Sequence, residues 1–365
     1  MIPLVDLAAQ HHEIAHEVDA GFASVMARTA FVGGEEVPAF EQELAAFVGV
    51  AHCVGVASGT DALELMLRAT GIGAGHEVIV PANTFAATAL AVARAGAEPV
   101  FTDCDPDHHL IDVARLPLGP RTRAIVAVHL YGQMAPMEAL AGAAAGVTLL
   151  EDAAQAHGAT RHGRPVAALG RAAATSFYPG KNLGAYGDGG AVLTASAEIA
   201  ENIRALRNYG SPVKYHHPIL GMNSRLDTLQ AVVLRAKLKR LAAWNQARQA
   251  AARRYDALLA DLPEVVLPRT APGNEHVWHL YTVRVPRRDR VLARLATDGI
   301  GAAVHYPIPL HLQGAFAHLG HRRGDFPVTE QAAEELLSLP LFPHITVAQQ
   351  ERVTAALRAA LRGAA

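Results

Sequence analysis

Cysteine is almost missing from this chain: Cys53 and Cys104 are the only two in 365 residues. A disulfide-stapled fold or a thiolate metal cluster needs more cysteines, or a tighter spacing, so both thiols read as reduced groups near the core. Aromatic residues are sparse at 5%, and 32 Lys and Arg stand against 34 Asp and Glu. The basic residues are scattered and never interleave with aromatics, which leaves no footprint for a nucleic acid partner. No uncharged apolar run approaches the ~20 residues that span a bilayer, so no membrane partner is expected. The opening MIPLVDLAAQHHE has no basic segment and meets Asp6 early. It does not read as a secretory leader, and a cytoplasmic location is the expectation.

What the chain does contain is an alternation of short apolar runs and helical stretches. The runs are 53–58, 77–82, 98–103, 124–130, 147–152, 174–178 and 189–194. DALELMLRAT, FAATALAVARAG and MEALAGAAA lie between the earlier ones. Buried strands alternating with helices predict an α/β fold with a mostly parallel sheet covered on both faces. Such a sheet binds ligands beyond the carboxyl ends of its strands. From Arg225, apolar residues Leu226, Leu229, Val233, Leu234, Leu238 and Leu241 recur at helical steps, predicting a long helix to about Leu262. The remainder carries strand-like HLYTVRV (279–285) and IGAAVHYP (300–307), then helical patterns at 328–338 and 346–362. Two domains are expected: a large one over residues 1–240 and a smaller α+β one over 241–365.

Three segments carry chemistry. S-G-T-D at 58–61 follows an apolar run and opens a helix. The unpaired N–H groups of a helix start suit a phosphate, although plain capping uses the same residues. E-D-A-A-Q-A-H at 151–157 puts Asp152 at the end of a buried run. A buried carboxylate is costly unless paired, and a pyridinium nitrogen is a suitable partner. Gln155 is placed to reach the same ligand, and His157 to orient Asp152 or to serve structurally. Glu151 and Asp152 point to opposite faces of a strand, so no metal site is expected there. In S-F-Y-P-G-K-N-L-G-A-Y-G-D-G-G at 176–190, Lys181 stands in a Gly-rich loop. A lysine in a dry pocket loses its proton readily and becomes a nucleophile for aldehydes. The glycine spacing, and Asn182 after the lysine, do not match a nucleotide phosphate loop.

In this order these segments, with FVGGEEVPAFEQELAAFVGVAHCVGVASGTDALELML, GHEVIVPANTFAATALAV, RNYGSPVKYHHPILGMNSRLDTLQAVVLRAKL and HYPIPLHLQGAF, resemble the DegT/DnrJ/EryC1/StrS family of nucleotide-sugar aminotransferases. The resemblance spans nearly the whole chain and implies the aspartate-aminotransferase type fold. It also implies pyridoxal 5'-phosphate as cofactor, with pyridoxamine 5'-phosphate present during turnover. By that resemblance Lys181 is the Schiff-base lysine and Asp152 the partner of the ring nitrogen. Gln155 meets the ring hydroxyl, Phe85 stacks on the ring, and Gly59, Thr60 and Ser176 hold the phosphate. Asn223 reaches the neighbouring subunit's site, which implies a homodimer with shared active sites. Candidate substrate contacts are Tyr186, Lys214, His216, His217, His305 and Tyr306. The stretch YGSPVKYHH resembles members that aminate carbon 3 of a thymidine-diphosphate-linked 6-deoxy-keto sugar, with L-glutamate as donor. A carbon-4 or uridine-linked substrate, and a different pyridoxal-phosphate chemistry such as dehydration, are the alternatives. A non-catalytic regulator is opposed by the intact lysine and aspartate.

Overall fold

The computed structural model of the protein describes residues 1–363. Its helices are α1 (Leu7–Arg28), α2 (Glu36–Val48), α3 (Gly59–Ala69), α4 (Ala86–Arg94), α5 (Met137–Ala143), α6 (Ala197–Leu206), α7 (Thr228–Leu259), α8 (Arg288–Thr297), α9 (Pro327–Glu335) and α10 (Val347–Gly363). The first strands are β1 (His52–Val56), β2 (Glu77–Pro81), β3 (Glu98–Thr102), β4 (Thr122–Val128) and β5 (Thr148–Asp152). A small hairpin of β6 (Thr160–Arg161) and β7 (Arg164–Pro165) leads to β8 (Ala172–Ser176) and β9 (Gly190–Thr194).

Seven of these strands form one sheet in the order β1-β9-β8-β5-β4-β2-β3. The pairs from β8 to β3 are parallel, and β9 alone runs against both of its neighbours. Successive side chains along a strand face opposite ways, and the core divides accordingly. Val54, Val78, Val80, Val126 and Leu150 cluster with apolar residues of α3, α4 and α6. Cys53, Ala173 and Leu193 cluster instead with Phe40 and Leu44 of α2 and Leu234 and Leu241 of α7. Ile79, Ile125 and Leu149 cluster with Met137 and Leu140 of α5. Both faces are thus covered, as the continuous apolar runs predicted. Both cysteines are buried and unpaired.

The second half of α7 turns Ala251, Tyr255 and Leu259 into another cluster with β11 (Tyr281–Arg284), β12 (Leu336–Leu339), α8 and α10. β11 and β12 pair antiparallel, and β10 (Asn274–Glu275) pairs with β6 of the large unit. The boundary expected at residue 240 falls inside the continuous α7. Ile2 belongs to this smaller cluster, and its carbonyl accepts from Gly301 N at 2.7 Å. Two expectations fail here. IGAAVHYP forms no strand, only single bridges at Ile300 and Ala303. The helix expected over 328–338 stops at Glu335, because Leu336–Leu339 is fully buried as a strand and Pro340 follows. No helix among the described residues is long and apolar enough to cross a membrane.

Candidate active site

The carboxyl ends of β1, β5 and β8 open on one side of the sheet, and the chain leaving each of them lines a cleft of about 710 Å³. The structure brings Gly59, Thr60, Phe85, Asp152, Gln155, Ser176, Lys181, His305 and Tyr306 into it. Tyr186, Lys214, His216, His217 and Asn223 do not line the cleft of their own chain.

The α3 start offers the cleft unpaired N–H groups, a setting that suits an anion. Ser58 caps the helix, its Oγ accepting from Asp61 N at 3.1 Å. The first-turn N–H groups of Gly59 and Thr60 have no intrahelical acceptor and sit at the positive end of the helix dipole. Ser176, at the end of β8, closes the cradle. A Cβ on Gly59 would lie 2.5 Å from the Ser176 Cβ, so only glycine permits this approach.

Asp152 ends β5 and is 6% exposed. Its Oδ2 accepts from Thr88 Oγ1 at 2.8 Å and its Oδ1 from Ala154 N at 3.1 Å. The carboxylate is held in place yet keeps lone pairs facing the cleft. Glu151 points the other way and is fully consumed by His129 Nε2 at 2.8 Å and by the N–H groups of Ala167 and Gly170. Gln155 Oε1 accepts from Tyr131 N at 2.6 Å, and its Nε2 donates to the Tyr306 hydroxyl at 3.1 Å. Tyr306 also meets Phe85, with ring centroids 5.5 Å apart.

Lys181 follows a turn in which its N–H donates to the Tyr178 carbonyl at 2.8 Å. Burial pushes its amine down to about 8, partly opposed by the charge of Asp152. Three histidines feel the positive charge of Lys181: His157, His279 and His305. Burial is the larger cause in each, holding His157 at about 3, His305 at about 4 and His279 well below its usual value. Of the two roles the sequence left open for His157, the structure favours the structural one: it makes no hydrogen bond to Asp152. The turn after β5 carries it back under β8, where its Nε2 lies 2.9 Å from Thr175 Oγ1.

Sequence reasoning missed Thr88, Tyr131 and His279. Tyr131 adopts φ 61° and clamps two cleft residues, since its hydroxyl also donates to the His305 carbonyl at 2.6 Å. Thr88 lies one helical turn beyond Thr84, in a segment whose only visible pattern was apolar. His279 sat within a strand-like run that gave no sign of facing a cleft.

The fold is that of the aspartate-aminotransferase type. The model of the DegT/DnrJ/EryC1/StrS aminotransferase family matches residues 12–358, and the chain belongs to that family. A dTDP-3-amino-3,4,6-trideoxy-alpha-D-glucose transaminase of Streptomyces venezuelae is 48% identical, over 98% of this chain and 95% of the relative. A UDP-N-acetyl-3-dehydro-alpha-D-glucosamine 3-aminotransferase of Acidithiobacillus ferrooxidans is 45% identical, over 99% of this chain and 98% of the relative. The crystal structure of DesV from S. venezuelae, in complex with a ketimine intermediate, matches with a TM-score of 0.96 and 48% identity over 98% of both chains. The protein is accordingly a sugar aminotransferase, and its family implies dependence on pyridoxal phosphate.

Proposed function

We propose that this enzyme moves an amino group from L-glutamate to carbon 3 of a thymidine-diphosphate-linked 3-keto-6-deoxyhexose, in a homodimer with shared sites. One observation carries the reading: a lysine amine lowered to about 8 shares a cleft with a buried carboxylate and the unpaired N–H groups of a helix start. Pyridoxal phosphate fits that set of groups. Gly59, Thr60 and Ser176 would hold its phosphate, Asp152 its ring nitrogen, Gln155 its ring hydroxyl and Phe85 its face. When bound, it supplies an aldehyde that condenses with amines and a protonated ring that withdraws electrons.

The chain's own groups do the rest. Asp152 would keep a proton on the ring nitrogen by accepting its hydrogen bond. Lys181 Nζ, pushed down to about 8 so that a useful fraction is unprotonated near neutral pH, would take a proton from the α carbon of the donor and pass it to the carbon that the cofactor's aldehyde contributes, as a general base and then a general acid. The same Nζ repeats these moves in the opposite sense when the keto sugar follows. One cleft serves both substrates in turn, which predicts ping-pong kinetics. His305 and Tyr306 are the proposed sugar contacts from the enzyme's own chain. Asn223, Tyr186, Lys214, His216 and His217 are proposed to act across the dimer. Carbon 3 is supported by the S. venezuelae relative and by YGSPVKYHH. A uridine-linked acceptor is the second reading, favoured by the 45% identical A. ferrooxidans relative.

The test is a two-stage assay of purified enzyme. L-glutamate alone should release 2-oxoglutarate in proportion to enzyme. The enzyme is then offered matched 3-keto and 4-keto sugars on thymidine and uridine diphosphate, with products read by mass spectrometry. Faster amination of the 4-keto compounds would overturn carbon 3. Amination of a simple 2-oxo acid, but of no sugar nucleotide, would overturn the sugar reading.

A further inference from the structure

His279 stands on the cleft wall just ahead of β11, and nothing so far gives it a role. Its Nδ1 lies 3.2 Å from Asn182 Oδ1. Which of the two atoms donates follows from their neighbours. Asn182 Nδ2 lies 3.0 Å from the Val277 carbonyl and 3.0 Å from Asn245 Oδ1. A carbonyl only accepts, so the amide atom facing Val277 is the NH2 group. The atom facing His279 is then the amide oxygen, and His279 Nδ1 carries the proton. Asn245 is oriented by the same logic, its Nδ2 donating to the His157 carbonyl at 2.8 Å. His279, Asn182, Asn245 and the His157 carbonyl form one directed chain of buried donors and acceptors.

The other ring nitrogen has the opposite character. A neutral imidazole protonated at Nδ1 bears a lone pair at Nε2. The ring stays neutral because of its burial first, then the positive charges of Lys181 and Arg248, with His305 and His157 adding to them. Among the described residues Nδ1 alone of the two ring nitrogens has a hydrogen-bond partner. Nδ1 is turned into the Asn182 network, which leaves the Nε2 edge on the cleft side.

We infer that His279 is a substrate-contact residue whose Nε2 accepts a hydrogen bond from a hydroxyl of the acceptor sugar. The inference rests on the keto-sugar reading. A hydroxyl suits this position better than the ammonium of the amino donor, because Lys181 and Arg248 make the surroundings positive. His279 therefore separates the two substrates that share the cleft: it offers a lone pair to the neutral sugar and nothing to a carboxylate.

Two experiments test this. Neutron diffraction from crystals of the cofactor-loaded enzyme locates the hydrogen on the His279 ring without any substitution. Nδ1 should carry it and Nε2 should be bare; a hydrogen on Nε2 would overturn the inference. The second compares the two half-reactions of His279→Leu. The step with the sugar nucleotide should fall about tenfold further than the step with glutamate, the size of one lost hydrogen bond in a dry site. Equal losses in both steps would overturn the sugar contact alone. Failure of the unaltered enzyme to aminate any sugar nucleotide would overturn the keto-sugar reading, and the contact with it.

Discussion

At Lys181 two influences oppose each other: burial disfavours the charged amine, and Asp152 favours it. Burial wins, so the amine is neutral above about pH 8 rather than only above its ordinary 10.5. In cofactor-free enzyme, the rate of reaction with pyridoxal phosphate should therefore climb with pH and level off above about 8. A rate still climbing toward 10.5 would show that the amine is not depressed. Lys237 is a useful rival, because burial brings it too to about 8. It faces the Tyr186 ring at 5.0 Å, outside the cleft. Borohydride reduction followed by peptide mapping should mark Lys181 and leave Lys237 and Lys214 unmarked. Asp152→Asn removes one member of a buried charge pair, typically about 3–5 kcal/mol or roughly 10²–10⁴ in rate. Its kcat should fall by that order, and near-normal turnover would dismiss the ring-nitrogen role. That both residues line the cleft was legible in the sequence because local chemistry announces them: a carboxylate ending an apolar run, and a lysine among glycines. His279 and Tyr131 were not, since what brings them to the cleft is packing between segments far apart in the chain.

Among the elements, the α3 start shows how a helix end and a strand end combine. Ser58 and Ser176 come from segments over a hundred residues apart, and the bare Gly59 lets them meet. Gly59→Ala would push a methyl group against the Ser176 side chain. Overpacking of this kind costs about 1–3 kcal/mol. The dissociation constant for pyridoxal phosphate, read by absorbance titration, should rise by about five- to a hundredfold; an unchanged value would remove the cradle from the phosphate. The seven sheet strands were all visible in the sequence to within two residues at each end, because most of their residues are buried and so read as largely apolar runs. The direction of β9 was not visible, as its run resembles the others and only its pairing reverses. The smaller unit was harder. Its strands are short, and Leu336–Leu339 continues the apolar pattern of α9 without a break in composition.

For the molecule as a whole, the open question is what covers the segment around 209–223. Val213, Tyr215, Ile219 and Leu220 are all exposed there, Leu220 at 89%. Apolar side chains gathered on one exposed loop mark an interaction surface. The loop is anchored at its end. Ser224 Oγ accepts from Ala57 N at 3.1 Å and donates to Asp61 Oδ2 at 2.8 Å, which ties it to the first turn of α3. Asn223, one residue earlier, is exposed and is kept at the surface beside that anchor by a bridge to Asn208. This is the arrangement expected if a second copy of the chain covers the loop and receives Asn223 in its own cleft. A two-fold dimer makes the exchange reciprocal. Chains carrying Lys181→Ala and chains carrying Asn223→Ala should each be nearly inactive as pure dimers. Unfolded together and refolded, they should pair at random, and half of the dimers would be mixed. Each mixed dimer holds one site with both residues intact and one with neither, so about a quarter of the wild-type activity should return. Activity no greater than that of the two variants refolded separately would place Asn223 outside the partner's site, provided that differently tagged chains co-purify and so show that mixed dimers have formed. A monomer in sedimentation that still holds the cofactor normally would remove the shared site altogether.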